Sequence, residues 1–233
     1  MTTEQLARLN GVFRKEGEAE EAAGVDGSGA GTVTAASSSA LTDGASAVLV
    51  MSEGAAVAAG YNTDIVVCSY AKTAVDPYPQ LLLAPALAIP AALEKAGLTI
   101  DDIDVFEIHE AFAAQVLATL ACLESDEFAK EWLGKDKAVG TIPREKINPN
   151  GESRQTIPHH IDIPDFSESV FDGLPLCSGS SIAVGHPFAA TGGRIVGSLA
   201  NTLRRTGQRY GLISICAAGG MGGVMILQNV AAA

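Results

Sequence analysis

Two histidines and one cysteine stand where this sequence changes from one predicted element to the next. His109 follows the alternating segment DIDVFEI, His186 follows the apolar run SIAV, and Cys216 precedes the glycine-rich run AAGGMGG. An imidazole can take a proton from a thiol, and a thiol can act as a nucleophile or carry a proton. These residue types therefore suit nucleophilic catalysis combined with acid–base chemistry.

The surrounding patterns predict that each of the three residues ends a strand. The alternation before His109 becomes helical after Glu110, the segment SIAVGHP is predicted as a strand, and the helix after it is expected to close at Gly207. Two further strands around a glycine-rich hairpin are predicted to hold Cys216. Side by side in one sheet, the three strand ends would share the crevice where open α/β sheets bind ligands.

Each residue also has a simpler interpretation. Cys216 alone would be an ordinary buried thiol, and His109 would be only the residue that starts a helix. The glycines over 219–223 are similar to a dinucleotide-binding loop, but the segment after them, VMILQNV, is a strand where that loop needs a helix. This context argues against a nicotinamide-dependent oxidoreductase.

Composition narrows the class of protein. The chain has 233 residues, 47% of them hydrophobic and only 5% aromatic, which predicts an α/β protein with a core of small aliphatic side chains. A net charge of −12 argues against nucleic acid as a partner. The four cysteines form no C-x-x-C pair, so we expect reduced thiols and no metal site.

Four segments together carry a resemblance to the thiolase family. They are GTVTAASSSALTDGASAVLVM (31–51), HEAFA (109–113), GHPFAATGG (185–193) and CAAGGMGG (216–223), in the family's order and spacing. The stretches around HEAF and FAKEWLGKDKAVGTIP resemble the β-subunit type of the fatty-acid trifunctional enzyme. Members of that type act on medium- and long-chain 3-ketoacyl-CoA thioesters.

The resemblance implies a fold and a division of the chain. It implies an α/β thiolase fold with a mixed five-stranded sheet covered by helices. Residues 1–60 would be the end of the N-terminal domain, with a disordered loop at 16–31, and residues 61–233 would form the C-terminal domain. The implied activity is the acyltransferase step of fatty-acid β-oxidation, in which 3-ketoacyl-CoA is cleaved by thiolysis to acetyl-CoA and a shortened acyl-CoA.

The resemblance also implies site roles. His186 would activate the nucleophilic cysteine and donate to an oxyanion, Cys216 would carry the α-proton, and His109 would orient a donor or water at the same oxyanion. The backbone N–H of Ala218 would serve a second oxyanion hole, and Ser39 would contact the pantetheine arm of coenzyme A. Coenzyme A is then a substrate, and no bound cofactor is expected.

One departure from the family concerns the acylated cysteine. The family carries it at a helix N-terminus ahead of the serine-rich segment, and this sequence does not show it. Cys177 is followed by the GHP segment and not by an apolar helix, so it does not qualify. The isolated chain is therefore expected to be inactive, as part of a thiolase. The alternative is a non-catalytic thiolase-like fragment that binds CoA esters or a partner subunit.

A second departure is the atypical insertion over 152–179, whose removal restores the family pattern. Its ends can be written as splice-donor and splice-acceptor sequences in the same phase, which suggests a retained intron. A natural surface insertion is the alternative. A eukaryotic source would make the protein mitochondrial, and otherwise it would be cytoplasmic. The family further implies a homodimer that acts on acyl-CoA and coenzyme A, with a hydratase/dehydrogenase α-subunit as a further partner.

Overall fold

The structure is a computed structural model, and it describes residues 9–12, 33–149 and 180–232. The predicted loop at 16–31 and the insertion at 152–179, with Cys177, lie outside the described residues. The division of the chain at residue 60 stays a prediction.

One mixed sheet organises the fold. Its strands are Ile65–Ala74 (β1), Val105–Ile108 (β2), Tyr210–Ala217 (β3) and Met221–Asn229 (β4). They lie in the order β1-β4-β3-β2, with β2 parallel to β3 and the other two pairs antiparallel. The α/β class with a mixed sheet is confirmed. The described residues form four strands, however, where five were predicted.

Helices precede and follow the strands. Their bounds are Glu53–Ala58 (α1), Pro77–Gln80 (α2), Pro85–Ala96 (α3), Ala113–Leu123 (α4), Asp126–Phe128 (α5), Ser181–Val184 (α6) and Phe188–Thr206 (α7), with a π-helix at Ala129–Leu133 and 3-10 turns at Ala35–Ser37 and Arg144–Lys146. Gly207 ends α7 with φ of 70°, a left-handed conformation that glycine adopts without a Cβ penalty, and the predicted helix end is confirmed.

The two faces of the sheet pack against different helices. On one face, α3 and α4 bury aliphatic side chains against Phe106, Leu212 and Ile226. On the other, α7 buries Ile195, Leu199 and Leu203 against residues adjacent to those three in their strands, Val105, Ile213 and Leu227. Successive residues of a strand point to opposite faces, so the sheet forms the middle of three layers.

A segment without regular helix or strand, residues 38–52 (the irregular segment), crosses the edge where β2 and β3 end. Ser38 pairs with Phe112 and Leu41 pairs with His186 in isolated bridges, while residues 41–50 are exposed. Within this segment, the apolar run AVLVM over 47–51 forms neither a helix nor a strand. Among the residues that the structure describes, no helix has both the length and the apolar character needed to cross a membrane.

Candidate active site

His109 is positioned by the pairing of β2 with β3. Its backbone N–H donates to the carbonyl of Ser214 at 2.8 Å, which continues the parallel ladder one residue beyond the end of β2. The helix α4 begins at Ala113, and the His109 side chain is 1% exposed. The predicted change from strand to helix around His109 is confirmed.

His186 is positioned differently from the prediction. The segment SIAV forms the short helix α6 and not a strand, because the N–H groups of Val184 and Gly185 bond to carbonyls four residues back. Gly185 then turns the chain with φ of 87°, and an added Cβ there would overlap the Thr42 side chain. The His186 N–H donates to the carbonyl of Ala40 at 2.8 Å.

The structure brings the two imidazoles together. The ring centroids of His109 and His186 lie 4.3 Å apart with an angle of 51° between the planes. His186 Nδ1 is hydrogen-bonded to Thr191 Oγ1 at 2.7 Å. This bond holds the His186 ring by its Nδ1 side, so Nε2 is the nitrogen left for chemistry.

Glycines on both sides of the contact, Gly44 in the irregular segment and Gly193 in α7, let the two elements approach each other beside His186. An added Cβ on Gly44 would lie 2.7 Å from Pro187, and one on Gly193 would overlap Ser46 Oγ. Ser46 Oγ in turn donates to the carbonyl of Ala190 at 2.7 Å. The segment is thus fastened to α7 directly beside His186.

Cys216 lies near the end of β3, the strand next to the one that His109 follows. Its side chain is buried, at 7% exposure, and Sγ donates to Gln115 Oε1 of α4 at 3.3 Å. Gln115 Nε2 donates to Thr119 Oγ1 at 3.1 Å, which fixes the amide. Burial raises the pKa of Cys216 to about 11, so the group is a protonated thiol at neutral pH.

Ala218 and Ser39 flank these side chains. Ala218 is exposed in the turn between β3 and β4, where Gly219 and Gly220 have φ of 86° and 76°. The Ser39 N–H donates to the carbonyl of Ala111 at 2.9 Å, which places this half-buried serine beside the loop after His109.

An open groove of about 260 Å³ lies over part of the site. It is lined by residues 41–44 of the irregular segment and by residues 186–189. The groove thus includes His186 but neither His109 nor Cys216, both of which are buried beneath the surface.

Both imidazoles are neutral at pH 7. Burial, with the nearby His186 and Arg194, lowers the pKa of His109 to about 3. The pKa of His186 is lowered as well, first by its partial burial and then by Arg194. A neutral imidazole is the form that can accept a proton from a thiol.

Polar residues behind His109, some buried and one partly buried, were not found from the sequence. Arg194 Nη2 donates to Ser181 Oγ at 3.1 Å, and Ser181 Oγ is hydrogen-bonded to His109 Nδ1 at 3.0 Å. Glu110 is 0% exposed, accepts a hydrogen bond from Asn148, and has its pKa raised by burial to about 8. One signal was available: Arg194 is the charged residue in TGGRIV, a run of otherwise small and aliphatic side chains.

The site offers no grouping of metal ligands. Within residues 9–12, 33–149 and 180–232, no three histidine, cysteine or acidic side chains are arranged to hold a metal ion.

Known proteins are similar to this chain over most of its length. The family described as "Thiolase, C-terminal domain" matches residues 61–161 and 175–229. The match leaves out 162–174, which lie in the predicted insertion. The mitochondrial trifunctional enzyme subunit beta of Bos taurus is 46% identical over 198 residues, which are 85% of this chain and 36% of the bovine protein.

A bacterial thiolase and a solved thiolase structure are also similar to this chain. The 3-ketoacyl-CoA thiolase of Alteromonas mediterranea is 44% identical over 199 residues, which are 85% of this chain and 39% of the bacterial enzyme. The crystal structure of human mitochondrial 3-ketoacyl-CoA thiolase in complex with CoA aligns with a TM-score of 0.65 at 29% identity, over 98% of this chain and 43% of that chain. The chain thus spans about two fifths of the length of the curated relatives it matches.

Proposed function

Because this chain belongs to the thiolase family, we propose that it supplies the C-terminal part of an acetyl-CoA C-acyltransferase of fatty-acid β-oxidation. The reaction is the thiolysis of a 3-ketoacyl-CoA to acetyl-CoA and a shortened acyl-CoA. The observation that carries the proposal is the His109–His186 pair at 4.3 Å, next to the parallel strand that holds Cys216.

Cys216 is suited to carry the α-proton. When a cysteine thiolate attacks the 3-keto carbon and the carbon–carbon bond breaks, the acyl group stays on that cysteine and acetyl-CoA leaves as its enolate. The enolate needs one proton, and a thiol whose pKa is about 11 holds one at neutral pH. Coenzyme A then attacks the acyl-cysteine as a thiolate, and the proton that it loses restores Cys216.

His186 is suited to activate the nucleophile. Its ring is neutral at pH 7 and fixed through Nδ1 by Thr191, so Nε2 can accept the proton of the cysteine that becomes acylated. That cysteine is not found in this sequence and must come from the rest of the enzyme. After the transfer, the protonated Nε2 can donate to the developing oxyanion.

The remaining residues would bind the thioester. His109, buried against His186, would orient a donor or a water at the oxyanion that His186 also serves, which forms at the thioester oxygen. The Ala218 N–H, in the turn after Cys216, would serve the second oxyanion. Ser39 would contact the pantetheine arm, since it lies beside the loop after His109 and next to the Ala40 carbonyl that binds His186.

Substrates, partners and location follow from the same proposal. Coenzyme A and acyl-CoA are proposed as substrates without a bound cofactor, supported by the human thiolase structure in complex with CoA. We also propose a homodimer, a hydratase/dehydrogenase α-subunit as a further partner, and a mitochondrial location. The names of the mammalian relatives, mitochondrial trifunctional enzyme subunits beta, support the last two.

A product assay tests the proposal. The chain, alone and joined to the preceding part of the enzyme, is incubated with a long-chain 3-ketoacyl-CoA and coenzyme A, and both acyl-CoA products are quantified. Equal amounts of acetyl-CoA and shortened acyl-CoA from the joined enzyme would support the proposal. Binding of CoA esters without cleavage by the joined enzyme would favour a non-catalytic binding protein and contradict thiolysis.

A further inference from the structure

Two buried side chains and a partly buried arginine form a line that ends at His109. Arg194 Nη2 of α7 donates to Ser181 Oγ at 3.1 Å, and Ser181 Oγ lies 3.0 Å from His109 Nδ1. Ser181 is 0% exposed and His109 is 1% exposed. Ser181 is the first residue of α6, so the same short helix that leads to His186 also holds His109.

Counting protons along this line fixes the direction of each hydrogen bond. A guanidinium can only donate, so Ser181 Oγ accepts from Arg194 and its own hydroxyl proton must go elsewhere. Among the described residues, the other hydrogen-bond partner of Ser181 Oγ is His109 Nδ1. If Nδ1 carried a proton, the hydroxyl would face two donors and its own buried proton would lack an acceptor, which is costly. The favoured arrangement has the hydroxyl donating to a bare Nδ1.

The other nitrogen of the ring must then carry the proton. A neutral imidazole has one N–H, so a bare Nδ1 places the hydrogen on Nε2. His109 Nε2 is buried and has no hydrogen-bond partner among the described residues. It belongs to the ring that lies 4.3 Å from that of His186. A buried donor without a partner, beside a second imidazole, is poised for an oxygen atom of a ligand.

We infer that Ser181 and Arg194 are positioning residues that hold His109 as its Nε2–H tautomer, with Nε2–H aimed at the thioester oxygen of the substrate. The inference deepens the proposed function and rests on it for the identity of that oxygen. Arg194 is suited to the task because it cannot lose its proton or turn into an acceptor. Glu107 lies near Arg194, and its carboxylate offsets part of the cost of removing the guanidinium charge from water.

Nitrogen NMR of the histidine rings tests the inference without substrate. The chain has four histidines, so selective ¹⁵N labelling gives few signals, and His109→Gln identifies those of His109. In the wild-type chain we expect a protonated Nε2 and a bare Nδ1 whose shift shows an accepted hydrogen bond. A protonated Nδ1 in the wild-type chain would overturn the inference, and this result requires no substitution of Ser181 or Arg194.

Variants separate the two positioning residues. In Ser181→Ala, Nδ1 should move to the shift of a bare nitrogen without a donor, while Ser181→Thr should match the wild type. In Arg194→Met, the Ser181 hydroxyl is free to accept, so a protonated Nδ1 should become detectable. An unchanged Nδ1 shift in Ser181→Ala, or a pure Nε2–H ring in Arg194→Met, would contradict the assigned role. The readout does not depend on thiolysis, so failure of the proposed function would leave it unaffected.

Discussion

The imidazoles of His109 and His186 lie 4.3 Å apart although they reach this point by different routes. His109 continues the β2–β3 ladder, whereas His186 follows a helical turn and is hydrogen-bonded to Ala40 of the irregular segment. The site thus depends on three parts of the chain at once. Substitutions that disturb each part separately therefore test whether the site needs all three.

Thr191→Val should impair His186 without changing the shape of the site. Valine has the same shape as threonine but cannot bond to His186 Nδ1, so the ring loses the contact that measures 2.7 Å. A hydrogen bond of this kind contributes about 1 kcal/mol, so kcat/KM for thiolysis by the joined enzyme should fall roughly fivefold. Thr191→Ser keeps the hydroxyl and should stay near the wild type. Equal rates for Thr191→Val and the wild type would show that the bond does not matter.

Gly222→Ala should destabilise the strand pair that holds Cys216. Gly222 lies opposite Cys216, and an added Cβ would come within 2.6 Å of the backbone nitrogen of Pro85. Backbone atoms cannot move aside cheaply, so we expect a loss of about 1–3 kcal/mol in the free energy of unfolding, measured in urea.

The next residue provides a matched control. Gly223 is in the same strand, and an added Cβ there meets no atom within 4 Å. Gly223→Ala should therefore change the free energy of unfolding by less than about 0.5 kcal/mol. Similar losses in the two variants would mean that contact with Pro85 is not the cause.

Glu110→Gln should change how stability depends on pH. Burial, and then the neighbouring Glu107, raise the pKa of Glu110 from 4.5 to about 8, against the opposing effects of Asn148 and Arg194. The folded chain therefore keeps this proton where the unfolded chain has lost it. The contribution of this proton to the free energy of unfolding is full below pH 4.5 and is lost as pH rises towards 8. In between, the free energy of unfolding falls by up to about 1.4 kcal/mol per pH unit. Glutamine has no such proton, so the slope should become flatter.

The measurement is best made from about pH 7 to about pH 8, because His109 opposes the effect at lower pH. The pKa of His109 is lowered from 6.5 to about 3, so its contribution is lost as pH falls through that window. Above it, the imidazole is largely neutral in both states. His109→Gln should thus keep the wild-type slope between about pH 7 and 8. A wild-type slope in Glu110→Gln would exclude Glu110 as its source.

Much of the fold was predictable because its signals are local. The change of period at Glu110 marks the start of α4, Gly207 ends α7, and the glycines after Cys216 mark the β3–β4 turn. The segment SIAV was predicted wrongly because four apolar residues fit a strand or a helix equally well. Its helical form depends on Ser180 and Ser181, which bind residues distant in the chain.

The site was predictable only in part. Motifs identified His109, His186 and Cys216, but nothing local links Arg194 to His109, since their contact passes through Ser181.

Comparison of two single steps tests the central claim, that His186 and Cys216 have separate roles in one thiolase site. In the joined enzyme, two steps are measured: the acylation burst with a saturated acyl-CoA, which releases coenzyme A and no enolate, and the exchange of the acetyl-CoA α-proton for deuterium. We predict that His186→Ala loses the burst, because no group then activates the acylated cysteine. Cys216→Ser should keep acylation and lose α-proton exchange. Equal loss of the burst in both variants, or exchange that survives in Cys216→Ser, would contradict the account.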